Sequence, residues 1–173
     1  MCSSHRQITM ALIKCKGCGG FFEDVQGPTH RYLESSPGCW AAYGEVLVRE
    51  YTDAVYYGIH RLTVDAYAVQ HPGHPSPQSI QSVAVHLISL CLVLEHGVNV
   101  QRATQAMQTA VKNKGRFVWL TPPASLGGVT VADVRAATSL EEHRKQVQAW
   151  SASAWAAWSP HHATIHGWVP QGF

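Results

Sequence analysis

The chain has 173 residues, 46% of them hydrophobic and only 14% charged, and its formal net charge is +2. That length suits one domain, or one domain with a small appendage, and it can bury a core that needs no disulfide scaffold. A near-neutral charge without runs of like charge argues against a nucleic-acid surface, and the low charged share points to a well-filled core or a subunit interface. Histidine stands out. Its eleven residues equal Asp and Glu together, a surplus that favours metal or proton chemistry.

Residues Met1 to Lys14 are mixed in character and lack the continuous apolar segment of a secretory signal. The longest apolar run, Val83 to Leu94, is interrupted by His86 and Ser89 and is too short to span a bilayer. Five cysteines, two of them in a CxxC, suit metal binding in a reducing compartment better than a disulfide framework. The expectation is a soluble, cytoplasmic protein with no membrane and no nucleic-acid partner.

In chain order, residues 1–38 read as a cysteine-bearing head and 39–173 as a helical bundle. Ser36-Pro37 supplies an N-cap and an N1 proline for a helix to about Tyr51. Asp53 caps a second helix running to about Gln70, where His71-Pro72-Gly73 stops it. Ser76-Pro77 repeats the start signal for a third helix, closed by Gly97 and apolar on nearly every side between Ile80 and Leu94, as befits a central helix. Asn99 caps a fourth, to about Lys112. Phe117 to Leu120 reads as extended, and Thr121 to Gly128 as a Pro- and Gly-rich loop. Thr130 with Asp133 marks a short helix, and Ser139 with Glu142 a long one to about Trp158. Ser159-Pro160 starts a last turn or two. The fold class is therefore all-α: a bundle of five to seven helices with a small N-terminal zinc-knuckle head.

The head carries the clearest chemistry. Cys15-Lys-Gly-Cys18-Gly-Gly is a knuckle in which two thiolates and a turning backbone face one cation, and soft thiolates select zinc. A redox pair would belong in a βαβ pattern, and none is present. Cys39, in the first turn of a helix, and His30 are the expected third and fourth ligands, with Cys2 and His5 near enough in sequence to compete. Four protein ligands would make the site closed and structural. Cys91 reads as a small buried hydrophobe in the third helix.

The bundle offers a second candidate. Helices that each turn a His toward a shared interior can hold a further divalent metal, and His60, His86, His161 and His162 are the expected set. His162 and His166 stand four apart on one helical face. Tyr67 and Asp65 would be the acid/base or supporting groups. Against this stands the plainer reading that each histidine is hydrogen-bonded on its own, with His143 exposed. The four C-terminal tryptophans, Trp150, Trp155, Trp158 and Trp168, read as core at helical spacing, or else as the wall of a pocket or dimer interface.

These motifs together resemble an uncharacterised bacterial family, a domain of unknown function: the CxxCG knuckle, Gly27-Pro-Thr-His30, Ser35-Ser-Pro-Gly-Cys-Trp40, Tyr67-Ala-Val-Gln-His-Pro-Gly73 and Ala157-Trp-Ser-Pro-His-His162. The likeness covers nearly the whole chain and implies no particular activity. The His162-x-x-x-His166 spacing is also similar to that of DinB-like helical bundles, some of which are metal-dependent thiol transferases or hydrolases. Two functions stay open at this point. One is a metal-dependent hydrolase or transferase acting on a small molecule through the bundle histidines. The other is a non-enzymatic zinc-containing binding or adaptor protein, as a homodimer.

Overall fold

The computed structural model describes residues 11–173. The head opens with two three-residue strands, β1 (Leu12–Lys14) and β2 (Phe21–Glu23), paired antiparallel with Ile13 opposite Phe22. Alternation along β2 buries Phe22 and leaves Phe21 in solvent. Strands this short fall below what periodicity in the sequence reveals. The hairpin loop between them, Cys15 to Gly20, is the knuckle itself. It is closed by the Cys15 N–H donating to the Gly20 carbonyl at 2.8 Å and turned at Gly19, whose φ of +75° suits a residue without Cβ.

Eight α-helices follow: α1 (Pro37–Thr52), α2 (Ala54–Tyr57), α3 (His60–Gln70), α4 (Pro77–Leu94), α5 (Val100–Lys112), α6 (Val131–Ala136), α7 (Leu140–Ala157) and α8 (His162–Trp168). The caps read from the sequence are present as bonds. Ser36 and Ser76 accept from the N–H groups of Cys39 and Ser79, and each is followed by proline at the first helical position. Asn99 caps α5 through the Arg102 N–H at 2.9 Å, and Thr130 with Asp133 forms a complete capping box on α6. At α7 the box is shifted: Ser139 accepts from Glu142 N–H, but the Glu142 carboxylate reaches back to Thr138 N–H instead.

The helix count exceeds the expected five to seven at one place. Asp53 does cap a helix, through Val55 N–H at 2.8 Å, but that helix lasts only four residues. The chain breaks at Gly58-Ile59 and restarts at His60 without a side-chain cap. The break lets α3 take its own direction and pack on α4 and α7.

Helix α4 is the centre of the bundle, in contact with α3, α5, α7 and α8. Leu87, Ile88, Leu90 and Leu92 are fully buried, as is Cys91. Among the described residues it is the one helix long and apolar enough to cross a bilayer, and more than half of that stretch is buried inside the fold. The tryptophans are core residues: Trp150 and Trp158 are fully enclosed, and Trp155 and Trp168 nearly so. Each enclosed indole N–H has a partner, as burial requires: Trp158 donates to the Val69 carbonyl at 3.1 Å and Trp150 to Gln70 Oε1 at 2.7 Å. Gln70 in turn donates to the carbonyls of Leu126 and Val129. That network pins the C-terminal end of α3, and the next residue is His71. The hydrophobic core is continuous from the head, through Cys15, Cys18 and Phe22, to Trp168.

Candidate metal centre

Four buried side chains converge where the knuckle meets the bundle: Cys15, Cys18, Cys39 and His71. The hairpin presents the first two. The first turn of α1 presents Cys39, and the end of α3 presents His71. Their donor atoms all lie within 4.8 Å of one another. Cys18 Sγ and Cys39 Sγ are 3.8 Å apart, and His71 Nε2 is 3.4 Å from Cys39 Sγ and 3.6 Å from Cys15 Sγ. A tetrahedron with metal–sulfur bonds of about 2.3 Å has sulfur–sulfur edges of about 3.8 Å. The observed spacings therefore match a single four-coordinate ion.

The surroundings prepare each ligand. His71 Nδ1–H donates to the Tyr67 carbonyl at 2.7 Å, one helical turn back. That bond fixes the tautomer and turns the lone pair of Nε2 toward the thiols, the usual arrangement behind a metal-bound imidazole. The Ser36 N–H points at Cys15 Sγ at 3.4 Å. The Tyr67 hydroxyl lies 3.7 Å from Cys39 Sγ, and the Tyr67 ring is stacked between Tyr43 and His71, with centroids 3.8 and 4.0 Å away.

The electrostatics of the three thiols favour a cation here. Three thiols this close cannot all ionise by themselves. Hydrogen bonds from Cys18 and Cys39 hold the Cys15 thiol well below its ordinary value, and its thiolate in turn pushes Cys18 up to about 12 and Cys39 higher still. A divalent ion reverses that order by pairing with all three thiolates.

Gly17 shows how closely the pieces fit. A Cβ on it would stand 2.4 Å from His71 Cδ2 and 2.4 Å from the Glu34 carbonyl oxygen. The second spacer of the CxxC is glycine because the imidazole ring lies against it.

The fourth ligand differs from the sequence expectation. His30 is not at the centre. It sits in the loop between β2 and α1, partly exposed, with its ring against Tyr32 and Trp40 and Nδ1 facing the Tyr32 N–H at 3.5 Å. Burial lowers its pKa. The loop carries His30 outward while α3 brings His71 in from 32 residues beyond Cys39. The signal was available in part, since His71 follows Tyr67 by one turn on the same stripe, but nothing local told which histidine would fold back. Cys2 and His5 lie outside the described residues.

The bundle histidines are not brought together. His60 Nδ1 donates to Glu50 Oε2 at 2.8 Å, and His143 Nε2 to Glu50 Oε1 at 3.0 Å. His143, expected in solvent, is fully buried there. His86 Nδ1 bonds Asp65 Oδ1 at 2.7 Å, and Ser89 donates to the other oxygen at 2.6 Å. His161 Nε2 donates to the Thr121 carbonyl and His162 Nε2 to the Trp155 carbonyl. Among the described residues, no set drawn from His60, His86, His161 and His162 gathers around one point. The reason is that Glu50 of α1, Asp65 of α3, Trp155 of α7 and Thr121 of the loop before α6 supply carboxylate or carbonyl partners, which satisfy each ring separately.

Asp65 and Tyr67, expected as acid/base groups of that set, have other places. Asp65 is completely buried between Arg61, His86 and Ser89. Burial alone would raise its pKa, but the hydrogen bond from His86 and the charge of Arg61 outweigh it and hold the carboxyl below the usual range. Glu50 behaves likewise, with His143, His60 and Thr63 outweighing burial. Tyr67 belongs to the metal centre, and burial pushes its hydroxyl above the ordinary phenol value.

Two clefts flank the head. One, of about 630 Å³, is lined by Lys14, Lys16, Arg31, Tyr32, Glu34 and His74, among others. The other, of about 720 Å³, lies between the knuckle and the Pro122–Gly127 loop. No curated protein and no solved structure matches the chain. A family model does match, over residues 13–159, and so takes in all four converging ligands. The chain belongs to DUF5946, a family of unknown function.

Proposed function

We propose that this chain is a zinc-stabilised binding protein whose Cys15–Cys18–Cys39–His71 centre is scaffolding. One observation carries the reading: four protein donors complete the tetrahedron, and all four are buried, so no coordination position is left for water or substrate. Thiolates with one imidazole favour zinc among the divalent metals. The ion would tie hairpin, α1 and α3 together and so hold the walls of the adjoining cleft. Elemental analysis of the purified protein tests this. Zinc should be retained by the wild type, and His71→Ala should lose it while His30→Ala keeps it. Retention in His71→Ala would refute the assignment.

The cleft beside β1 supports a small anionic ligand, because Lys14, Lys16 and Arg31 line it against the single carboxylate of Glu34. Calorimetric titration with citrate and with inorganic phosphate checks this. Binding should weaken with salt and in Lys16→Glu, and absence of binding by both anions removes the anionic ligand while leaving the zinc assignment intact. The alternative, a metal-dependent hydrolase or transferase acting on a small molecule, would need a metal site with an open position, and among the described residues the other grouping of donors is Cys91, Glu95 and His96 at the far end of α4.

A further inference from the structure

The hairpin of the head keeps one edge open. The Cys15 N–H donates to the Gly20 carbonyl and the Asp24 N–H to the Ala11 carbonyl, each at 2.8 Å, and Ile13 stands opposite Phe22. Ala11, Ile13 and Cys15 therefore turn their main-chain groups toward β2. In an antiparallel ladder the residues between them, Leu12 and Lys14, turn theirs the other way. Among the described residues, no hydrogen-bond partner meets the main chain of Lys14. The outer edge of β2 is covered instead, with the Glu23 carbonyl so close to Gly38 of α1 that a Cβ there would stand 2.2 Å from it.

Lys14 is also where the two clefts meet. Lys14, Lys16, Glu34 and Gly73 line both of them, so the clefts adjoin across the knuckle. Their other walls differ. The first cleft adds Arg31 to the two lysines, with Ile13, Tyr32 and Leu33 as apolar surface. The second adds no charged side chain, and Gly17, Gly19, Pro122, Pro123, Ala124 and Ser125 make it slim and backbone-lined. Glu34 is the one carboxylate on either wall.

This uneven lining selects among elongated ligands. A nucleic-acid strand carries a phosphate on every unit, and those in the second cleft would meet no cation beyond the shared lysines. A peptide with acidic residues at one end and small neutral ones at the other matches both halves. Its own backbone can also pair with the open strand edge, as peptides do when they extend a sheet.

We propose that the two clefts form one peptide groove, whose occupant is an extended acidic peptide laid along the edge of β1. Its carboxylates sit by Lys14, Lys16 and Arg31, its main chain bonds to Lys14, and its small side chains pass over the knuckle toward the Pro122–Gly127 loop. The proposal rests on the reading of the first cleft as an anion site, and it names the partner that carries the anion.

The test uses the full chain carrying its zinc and reads fluorescence anisotropy. The probes are the fluorescein-labelled hexapeptide Glu-Glu-Val-Ser-Val-Ser, its reversed sequence, and the labelled dipeptide Glu-Glu. The tighter hexapeptide should bind at least about 10-fold more tightly than the dipeptide, because its second half gains contacts at no further cost of association. Arg31→Glu should weaken dipeptide, hexapeptide and citrate alike. Ala124→Trp, at an exposed residue that lines only the second cleft, should bring the hexapeptide down to the affinity of the dipeptide. It should leave dipeptide and citrate binding unchanged, an outcome that a misfolded variant would not give. The proposal is overturned if neither hexapeptide binds more tightly than the dipeptide, or if Ala124→Trp leaves hexapeptide binding as it was. Tighter binding of a labelled hexathymidylate than of both hexapeptides also overturns it. In each case citrate binding by the wild type leaves the anionic cleft standing, and its absence removes that reading too.

Discussion

The centre at the head and the buried carboxylate networks of the bundle use histidine in opposite ways. At the head, His71 gives its N–H to a carbonyl and turns a lone pair toward three thiols. In the bundle, His60 and His143 give N–H groups to Glu50, while His86 pairs with Asp65. A carboxylate neighbour completes a histidine and ends its chemistry. A cluster of thiols cannot be completed by histidine alone, because it lacks the positive charge that would let the sulfurs ionise. His143 is as fully buried as His71, so exposure alone does not separate a ligand from a structural histidine. The partner across from the free nitrogen does.

The sharpest way to break this comparison is Cys39→Ser. A structural zinc in a small domain accounts for an apparent binding free energy on the order of 10 kcal/mol, comparable with the whole stability of a domain, about 5–15 kcal/mol. Loss of bound metal, measured elementally, and loss of the folded baseline in circular dichroism are expected together.

Glu50→Gln attacks the other region. It leaves a buried network without its charge and should cost about 3–5 kcal/mol in denaturant unfolding, yet leave metal content unchanged. A drop in bound zinc would mean that the two regions are coupled.

Gly17→Ala probes the contact between knuckle and imidazole. The clash with His71 and Glu34 should cost about 1–3 kcal/mol, and a chelator competition should show faster metal loss.

The pH dependence is gentler. Glu50 and Asp65 have folded-state pKa values below their unfolded ones. Their contribution is therefore present above the unfolded carboxylate range and is lost as pH falls through the folded values. Denaturant midpoints should fall on acidification below about pH 4, and Asp65→Asn should flatten part of that slope. The smallest effect belongs to His30→Ala, with zinc retained and stability changed by about 0.5 kcal/mol or less.

Much of the helical architecture was legible because caps are local. Ser36-Pro37, Ser76-Pro77, Asn99 and the Thr130–Asp133 pair each specify a helix start within four residues, and all are made as bonds in the fold. The three-residue strands of the head and the break at Gly58-Ile59 were not legible. Neither has a period long enough to register, and both are decided by what packs on them.

The candidate centre divides along the same line. Cys15, Cys18 and the glycines around them constitute a turn whose geometry is local, and Cys39 is positioned by a helix start that the sequence announces. Composition, periodicity and capping thus determined a helical body, a knuckle and three thiols. Only the tertiary structure chose His71 over His30. It also set His60, His86 and His143 against Glu50 and Asp65 instead of one another, and joined α4 to α8 about Glu95. Which nitrogen faces which atom depends on how α3 is held by Gln70 and Trp150, and that holding runs between residues 80 positions apart. Short-range propensity carries no information over such a distance.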